Sequence, residues 1–369
     1  MPKSAFKPKA KVCLLSISLA NGGAERSTAL LSKMLEKEGF EVHIAILTDA
    51  VSYDYGGKLF NLGKYKTEND SLWKRLKRFR KLKRFFVESD FDFIIDNRVR
   101  NNSLREFYYL KYLYAQQNII YVVRSFKLDN YFPESFVLKK GVSNLMIKKA
   151  VKIVGVAKAI SAEVNRKFQT EKAVTIYDVL EDLEQDDKTF PEKYILFLGR
   201  IDEKPKNFPL LLKAYKKSGL SEENIKLKIL GSGPDEAFLN EKIDELNLKN
   251  DVQRIPFTKT VYPYLKKALF LVLSSRYEGL PRVVLEALGV GTPVVSVDCK
   301  SGPNELIQNR ENGLLVENHN EKALAEAIKE MVKNDELRHY CQSNAKKSVA
   351  HFNFDHIAEQ WKNLLNNEK

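Results

Sequence analysis

The chain has 369 residues, 44% hydrophobic and 30% charged, which describes a soluble globular protein with room for two domains. Its longest apolar runs, such as "ALFLVL" and "GVGTPVVSV", are strand-sized and exclude a membrane-spanning helix. The net charge of +13 is uneven, with 33 Lys/Arg against 18 Asp/Glu in residues 1–180 and 28 against 30 in the remainder, so the first half is expected to meet something negative.

In chain order, the basic N-terminus leads into "KVCLLSIS", a strand-length run followed by "LANGGAER". No signal-peptide cleavage region is visible, and the segment reads as mature sequence. Gly22 and Gly23 end this strand and open a helix over 24–38. Such a turn lets backbone approach a phosphate, with helix N–H groups pointing at it; it is equally a plain strand-to-helix turn. "EVHIAIL", "FDFIID", "NIIYVVRS", "KIVGVA" and "AVTIYD" read as further strands, with a helix over 101–116. Between the first and second of these lies "SLWKRLKRFRKLKRFFVESD". Trp73, Leu76, Phe79, Leu82 and Phe86 recur at roughly helical spacing, and eight Lys/Arg, including Lys74, Arg75, Lys77, Arg78 and Lys81, fall between 74 and 84. This amphipathic segment suits an anionic membrane or a lipid diphosphate; the plainer reading is a helix covering the first sheet.

"LEDLEQDDKTFPEKY" is acidic, aperiodic and contains Pro191, and is taken as a linker over 181–193. The strand pattern then resumes with "YILFLGR", "IKLKILG", "DVQRIPF", "LFLVLSS", "TPVVSVD" and "GLLV", with helices near 207–219, 235–246, 281–289 and 320–333 and a final amphipathic helix in "FDHIAEQWKNLLNN". Strands alternating with helices predict an α/β chain of two doubly wound parallel sheets, with ligands beyond the carboxyl ends of the strands. In the second half, Arg200 and Lys206 share one strand-to-helix loop and can clamp a diphosphate, or be solvated charges. Gly231 sits in the tight turn "LGSGP". Glu278 precedes Gly279-Leu280-Pro281, and Glu286 lies within the apolar "VVLEALGV". A carboxylate there needs a partner: a ribose diol on one reading, an internal ion pair with Arg or Lys on the other. Cys13, Cys299 and Cys341 are too far apart for a metal or disulfide framework and fit a reducing cytoplasm.

Taken together, "NGGAER", "FLGRIDEKPKN", "LKILGSGP", "SSRYEGLPRVVLEALGVGTPVV", "SGPNELI" and "NGLLV" resemble the retaining family-4 glycosyltransferases of the GT-B fold, over essentially the whole chain. The resemblance implies two Rossmann-like domains facing a cleft: residues 1–180 receiving the acceptor, 194–350 binding the nucleotide sugar, and 351–369 returning as a helix to the first domain. It implies that Arg200 and Lys206 hold the donor diphosphate, that Glu286 holds the ribose, and that Glu278 meets the transferred sugar or the developing cation. Gly279 and Leu280 would supply backbone contacts to sugar and phosphate, and Gly22 and Gly23 cover for the phosphates; Gly231, read from its turn alone, either lets the backbone approach the base or ribose of a nucleotide or is a plain turn. It implies no metal and no cofactor beyond the nucleotide sugar as substrate. The chain departs from the pattern twice: relatives often carry a His where this chain has Arg124-Ser125, and an Asn near the position of Asp178.

The reading that follows is a cytoplasmic enzyme peripheral to the inner face of the bacterial membrane. It moves a hexose or N-acetylhexosamine from a nucleotide sugar, UDP before others, to a lipid-linked or polysaccharide acceptor. Arg124 and the basic residues of 74–81 are the acceptor or membrane candidates. The alternative is a soluble glycosyltransferase acting on a small molecule or protein. Nucleic-acid binding, suggested by charge alone, lacks any accompanying motif and leaves the donor residues unexplained.

Overall fold

The computed structural model describes residues 9–20, 22–133, 141–181 and 193–369. Residues 182–192 of the expected linker lie outside the described residues. Two compact units are formed, Met1–Val179 with Phe354–Lys369, and Leu180–Asn353.

The first unit carries a seven-stranded parallel sheet: β1 (Lys11–Ser16), β2 (Glu41–Ile46), β3 (Lys58–Asn61), β4 (Phe93–Asp96), β5 (Ile119–Val123), β6 (Ala150–Gly155) and β7 (Ala173–Thr175), in the order β3-β2-β1-β4-β5-β6-β7. β1, β4 and β5 are apolar on both faces because helices cover both, and Val12, Leu14, Ile94, Ile95, Ile120 and Val123 are fully buried. Helix Phe354–Asn367 completes this unit, burying Ile357, Trp361 and Leu365 and pairing Lys362 with Glu38 at 3.4 Å.

The second unit holds a six-stranded parallel sheet: β8 (Tyr194–Leu198), β9 (Lys226–Leu230), β10 (Val252–Ile255), β11 (Leu271–Leu273), β12 (Val294–Asp298) and β13 (Gly313–Glu317), in the order β10-β9-β8-β11-β12-β13. Phe197, Phe208, Leu211, Tyr215, Ile229, Phe270 and Val295 lie in its core. In each sheet the strand order reverses at one place, between β1 and β4 and between β8 and β11. The loops leaving the carboxyl ends there diverge to opposite faces and leave a crevice where ligands of open α/β sheets bind.

The expected helix over 101–116 is instead a short α-helix, Ser103–Tyr108, running into one wide turn at Tyr109–Leu113. β3 and the helices Gly141–Lys149, Lys158–Phe168 and Asp335–Ser348 add to the expected elements.

Candidate active site

The switch point of the second sheet gathers the expected donor residues. β8 ends at Leu198; Arg200 follows, exposed and with no side-chain partner among the described residues. A single helical turn, Glu203–Lys206, stops at Asn207, whose φ of +57° is left-handed, a conformation Asn tolerates better than most residues. Helix Phe208–Ser218 restarts after this left-handed break, and Lys206, just before it, meets the neighbouring loop. Its Nζ donates to Glu278 Oε1 at 2.6 Å, and Ser275 Oγ donates to the same oxygen at 2.6 Å. Both members of the ion pair are about 15% exposed or less.

Side chains that sequence reasoning passed over hold this arrangement. Arg276 donates from Nη1 to the Glu203 carbonyl at 2.6 Å, and from Nη2 to Glu203 Oε1 at 2.7 Å and Asn207 Oδ1 at 2.9 Å. Its backbone N–H donates to the Pro205 carbonyl at 2.7 Å, and Ser274 Oγ donates to the Lys206 carbonyl at 2.8 Å. The loop bearing Lys206 is thus tied, by backbone and side chain, to the loop bearing Glu278. Tyr277, between them, has its phenol pushed up by burial and then by the nearby carboxylates of Asp202 and Glu278.

Glu286 is 5% exposed on helix Arg282–Val290 and accepts from Arg282 Nη2 at 3.2 Å. The ion-pair reading is therefore what this structure contains; a ribose diol would compete with Arg282 for the carboxylate. Leu280 is buried, and the Gly279 carbonyl accepts from Ser301 Oγ at 3.0 Å. Ser301 and Gly302 both have positive φ, and a Cβ on Gly302 would strike the Gly279 carbonyl. Gly231 has a structural duty of its own. A Cβ there would run into the Gly199 carbonyl oxygen, and one at Gly233 into that of Ile201, so the loops after β8 and β9 pack backbone to backbone.

In the first unit, Gly22 caps helix Gly23–Lys37 in extended conformation. It is not held to glycine by φ, and a Cβ there would meet only the Glu25 carboxylate, on a movable side chain. Arg124, at the end of β5, is not a free cation. Nη1 donates to Asp178 Oδ1 at 2.5 Å and Nη2 to Asn97 Oδ1 at 3.2 Å, while Nε is buried with no partner among the described residues. It lines a pocket with Ser27, Asp178, Ile357 and Trp361. The two departures noted in the sequence, Arg124 and Asp178, are thus partners in one ion pair. Ser125 accepts from Lys127 N–H at 3.2 Å.

Beside them a wholly buried cluster was not anticipated. Arg98 bridges Asp96 at 2.8 Å and Glu106 at 3.0 Å, Tyr114 donates to Asp96 at 2.8 Å, and Arg100 donates to the carbonyls of Asp96, Arg98 and Val122. Burial raises the Asp96 pKa, but Arg98 and Arg100 more than offset it and hold the carboxyl below its ordinary range. Among the basic candidates of helix Leu72–Ser89, Lys74, Arg75, Lys77 and Lys81 are exposed, whereas Arg78 is bound through both terminal nitrogens to Asp70 at 2.8 Å. Trp73 and Leu76 of the apolar stripe are exposed, Phe79 is half-buried, and only Leu82 and Phe86 are fully buried.

Two Rossmann-like units, the second with a cation and a carboxylate paired at its switch point, have the architecture of the GT-B class. The chain belongs to the group 1 glycosyltransferases: residues 180–348 match the model described as "Glycosyl transferases group 1", and a full-length relative concurs. That relative, from Campylobacter jejuni, is N-acetylgalactosamine-N,N'-diacetylbacillosaminyl-diphospho-undecaprenol 4-alpha-N-acetylgalactosaminyltransferase, 30% identical over 94% of this chain and 97% of its own. A second C. jejuni protein, an α-1,4-N-acetyl-D-galactosaminyltransferase acting on GalNAc-alpha-(1->4)-GalNAc-alpha-(1->3)-diNAcBac-PP-undecaprenol, is 36% identical over about half of each chain, 47% and 48%. Among solved structures, a Staphylococcus aureus TarM variant in complex with fondaparinux, α-GlcNAc-glycerol and UDP superposes with a TM-score of 0.79 over 96% of this chain and 100% of that one. At 16% identity this last likeness shows the fold alone.

Proposed function

We propose that this enzyme moves a hexose or N-acetylhexosamine, with retention, from a UDP-sugar to a lipid-linked or polysaccharide acceptor in bacterial surface-glycan synthesis. The observation that carries the donor assignment is the convergence of Lys206, Ser275 and Glu278 at the β8/β11 switch point, with Arg200 exposed on the same loop. The acceptor class draws on the C. jejuni relative, whose name specifies a diphospho-undecaprenol glycan.

The chemistry follows from charge. As the anomeric C1–O bond to the β-phosphate breaks, the sugar becomes cation-like and negative charge grows on the nucleotide. Lys206 turns from Glu278 to the phosphate and Arg200 meets it from the other side; both are worth most in the transition state. Glu278, released from Lys206, faces the developing cation. The acceptor hydroxyl oxygen bonds to C1 on the face the phosphate leaves, and its proton passes to the departing phosphate oxygen. Two cationic side chains make a metal unnecessary in this scheme, and turnover is expected to survive EDTA. Glu286 takes the ribose hydroxyls, and the first unit receives the acceptor. No helix among the described residues is long and apolar enough to cross a membrane, so a membrane-bound acceptor calls for peripheral association, through the basic helix Leu72–Ser89 at the cytoplasmic face.

The test is Lys206→Ala assayed against a panel of nucleotide sugars with a polyprenyl-diphosphate glycan in detergent. Transfer is expected to fall at least about a hundredfold with the fold intact and the melting temperature lowered only as far as loss of the Lys206–Glu278 pair requires, in line with removal of a preorganised charge. Near-normal turnover would remove the donor assignment.

A further inference from the structure

Arg282 and Glu286 stand one turn apart on helix Arg282–Val290, and their side chains are only 10% and 6% exposed. As a helix stabiliser the pair is poorly placed. At i,i+4 the carboxylate is better N-terminal to the cation, and here the order is reversed. Arg282 also occupies the first turn, where the helix dipole disfavours a cation and favours an anion. Pro281, at the N-cap, gives the first N–H groups no side-chain hydrogen bond. A buried ion pair in this arrangement is a weak source of stability.

Its position is more informative. In the proposed donor complex Glu278 faces the transferred sugar and Glu286 takes the ribose hydroxyls, and the diphosphate joins those two parts of the donor. Arg282 lies between the two glutamates in the chain, on the same helix face as Glu286 and about 6 Å from it along the axis. Each glutamate is held by a cation in this structure, Glu278 by Lys206 at 2.6 Å and Glu286 by Arg282 at 3.2 Å. When ribose hydroxyls claim Glu286, Arg282 loses that carboxylate, and a charge so far from water calls for another anion in its place. The donor carries one, its diphosphate, next to the ribose.

We propose that Arg282 is a further donor-binding residue, which exchanges Glu286 for the donor diphosphate as the ribose enters. The inference rests on the reading of Glu286 as the ribose residue. Two exchanges then occur in one site: Lys206 leaves Glu278 and Arg282 leaves Glu286, both for phosphate. Selectivity follows from the second. A nucleoside alone must break the Arg282–Glu286 pair and offers Arg282 nothing in return, whereas a nucleoside diphosphate supplies the replacement.

Affinities for uridine and for UDP are measured by NMR and calorimetric titration on wild type, Arg282→Gln, Arg282→Lys and Glu286→Gln. Arg282→Gln is expected to weaken UDP about tenfold and to leave uridine unchanged or more tightly bound, so the ratio of the two affinities falls about tenfold or more. UDP binding to this variant is also expected to depend less on salt. Both ligands are read on one sample, so partial unfolding cancels in the ratio. Arg282→Lys keeps the charge and is expected to regain part of the ratio. Equal weakening of uridine and UDP in Arg282→Gln overturns the proposal and makes Arg282 an orienting partner of Glu286; unaltered UDP binding overturns it as well. Glu286→Gln checks the underlying reading and is expected to weaken uridine. Unaltered uridine binding there removes the ribose assignment and this inference with it. Uridine weakened in Glu286→Gln, with an unchanged ratio in Arg282→Gln, overturns the role of Arg282 alone.

Discussion

Arg276→Ala tests whether Lys206 is positioned by its neighbours or merely located near them. The substitution removes three guanidinium hydrogen bonds of 2.6–2.9 Å to Glu203 and Asn207. A hydrogen bond to a charged partner contributes about 1.5–3 kcal/mol when buried. The Arg276 side chain is 33% exposed and that of Glu203 20%, so solvent screening reduces the sum to roughly 2 kcal/mol. Asn207, in a left-handed conformation that costs about 1 kcal/mol, then loses the partner that holds it. Roughly 2 kcal/mol of lost preorganisation corresponds to about a thirtyfold fall in kcat/KM for the donor. Steady-state kinetics with varied nucleotide sugar, alongside a thermal melt, separates the cases. A positioning role lowers kcat at a temperature well below the melt, and Arg276→Lys, which cannot bridge Glu203 and Asn207 together, rescues only part of it. A lowered melting temperature with kcat/KM within about twofold of wild type would refute the reasoning.

Other outcomes are expected elsewhere. Gly231→Ala drives a Cβ into the Gly199 carbonyl from a φ of +145°, and calorimetry should show the second unit destabilised by about 3 kcal/mol whether or not donor is present. Glu286→Gln should raise KM for the donor about tenfold and leave kcat within about twofold, because ribose contacts are shared by ground and transition states; equal loss in both constants counts against the ribose role. The depressed pKa of Asp96 gives a stability contribution fully present above its unfolded value, about 4, and lost as pH falls through the lower folded value. Acid titration of the first unit by circular dichroism should follow that direction. Asp96→Asn should flatten the acid limb while lowering neutral-pH stability by about 3–5 kcal/mol.

Much of the fold is legible because buried parallel strands read as unbroken apolar runs, as in "YILFL" and "NIIYVV". β3 is the counter-example. "KLFN" is a four-residue, half-buried edge strand whose only signal is pairing with β2. The site divides in the same way. Glu286 stands out in sequence as a carboxylate inside an apolar run, whereas Arg200, Lys206 and Glu278 take their assignments from the family resemblance rather than from local context. Arg276 looks like one more solvated loop cation; its meaning lies in Glu203 and Asn207, some 70 positions upstream. Arg98, Arg100 and Glu106 are missed because adjacent charges ordinarily signal surface, and only tertiary contact reveals a neutral buried set. Arg124 and Asp178 were visible singly as departures, but 54 positions of separation hid the fact that each compensates the other.

The return of Phe354–Lys369 to the first unit has a temporal consequence. A ribosome finishes every residue of the second unit before it makes the helix that covers Ser27, Leu31 and Met34 in the first. The later-made unit is therefore the first to have all its parts. Until Ile357 and Trp361 emerge, the earlier-made unit waits with an uncovered apolar face. A frameshift or proteolytic trim at the C-terminus would accordingly injure the start of the protein and spare its middle.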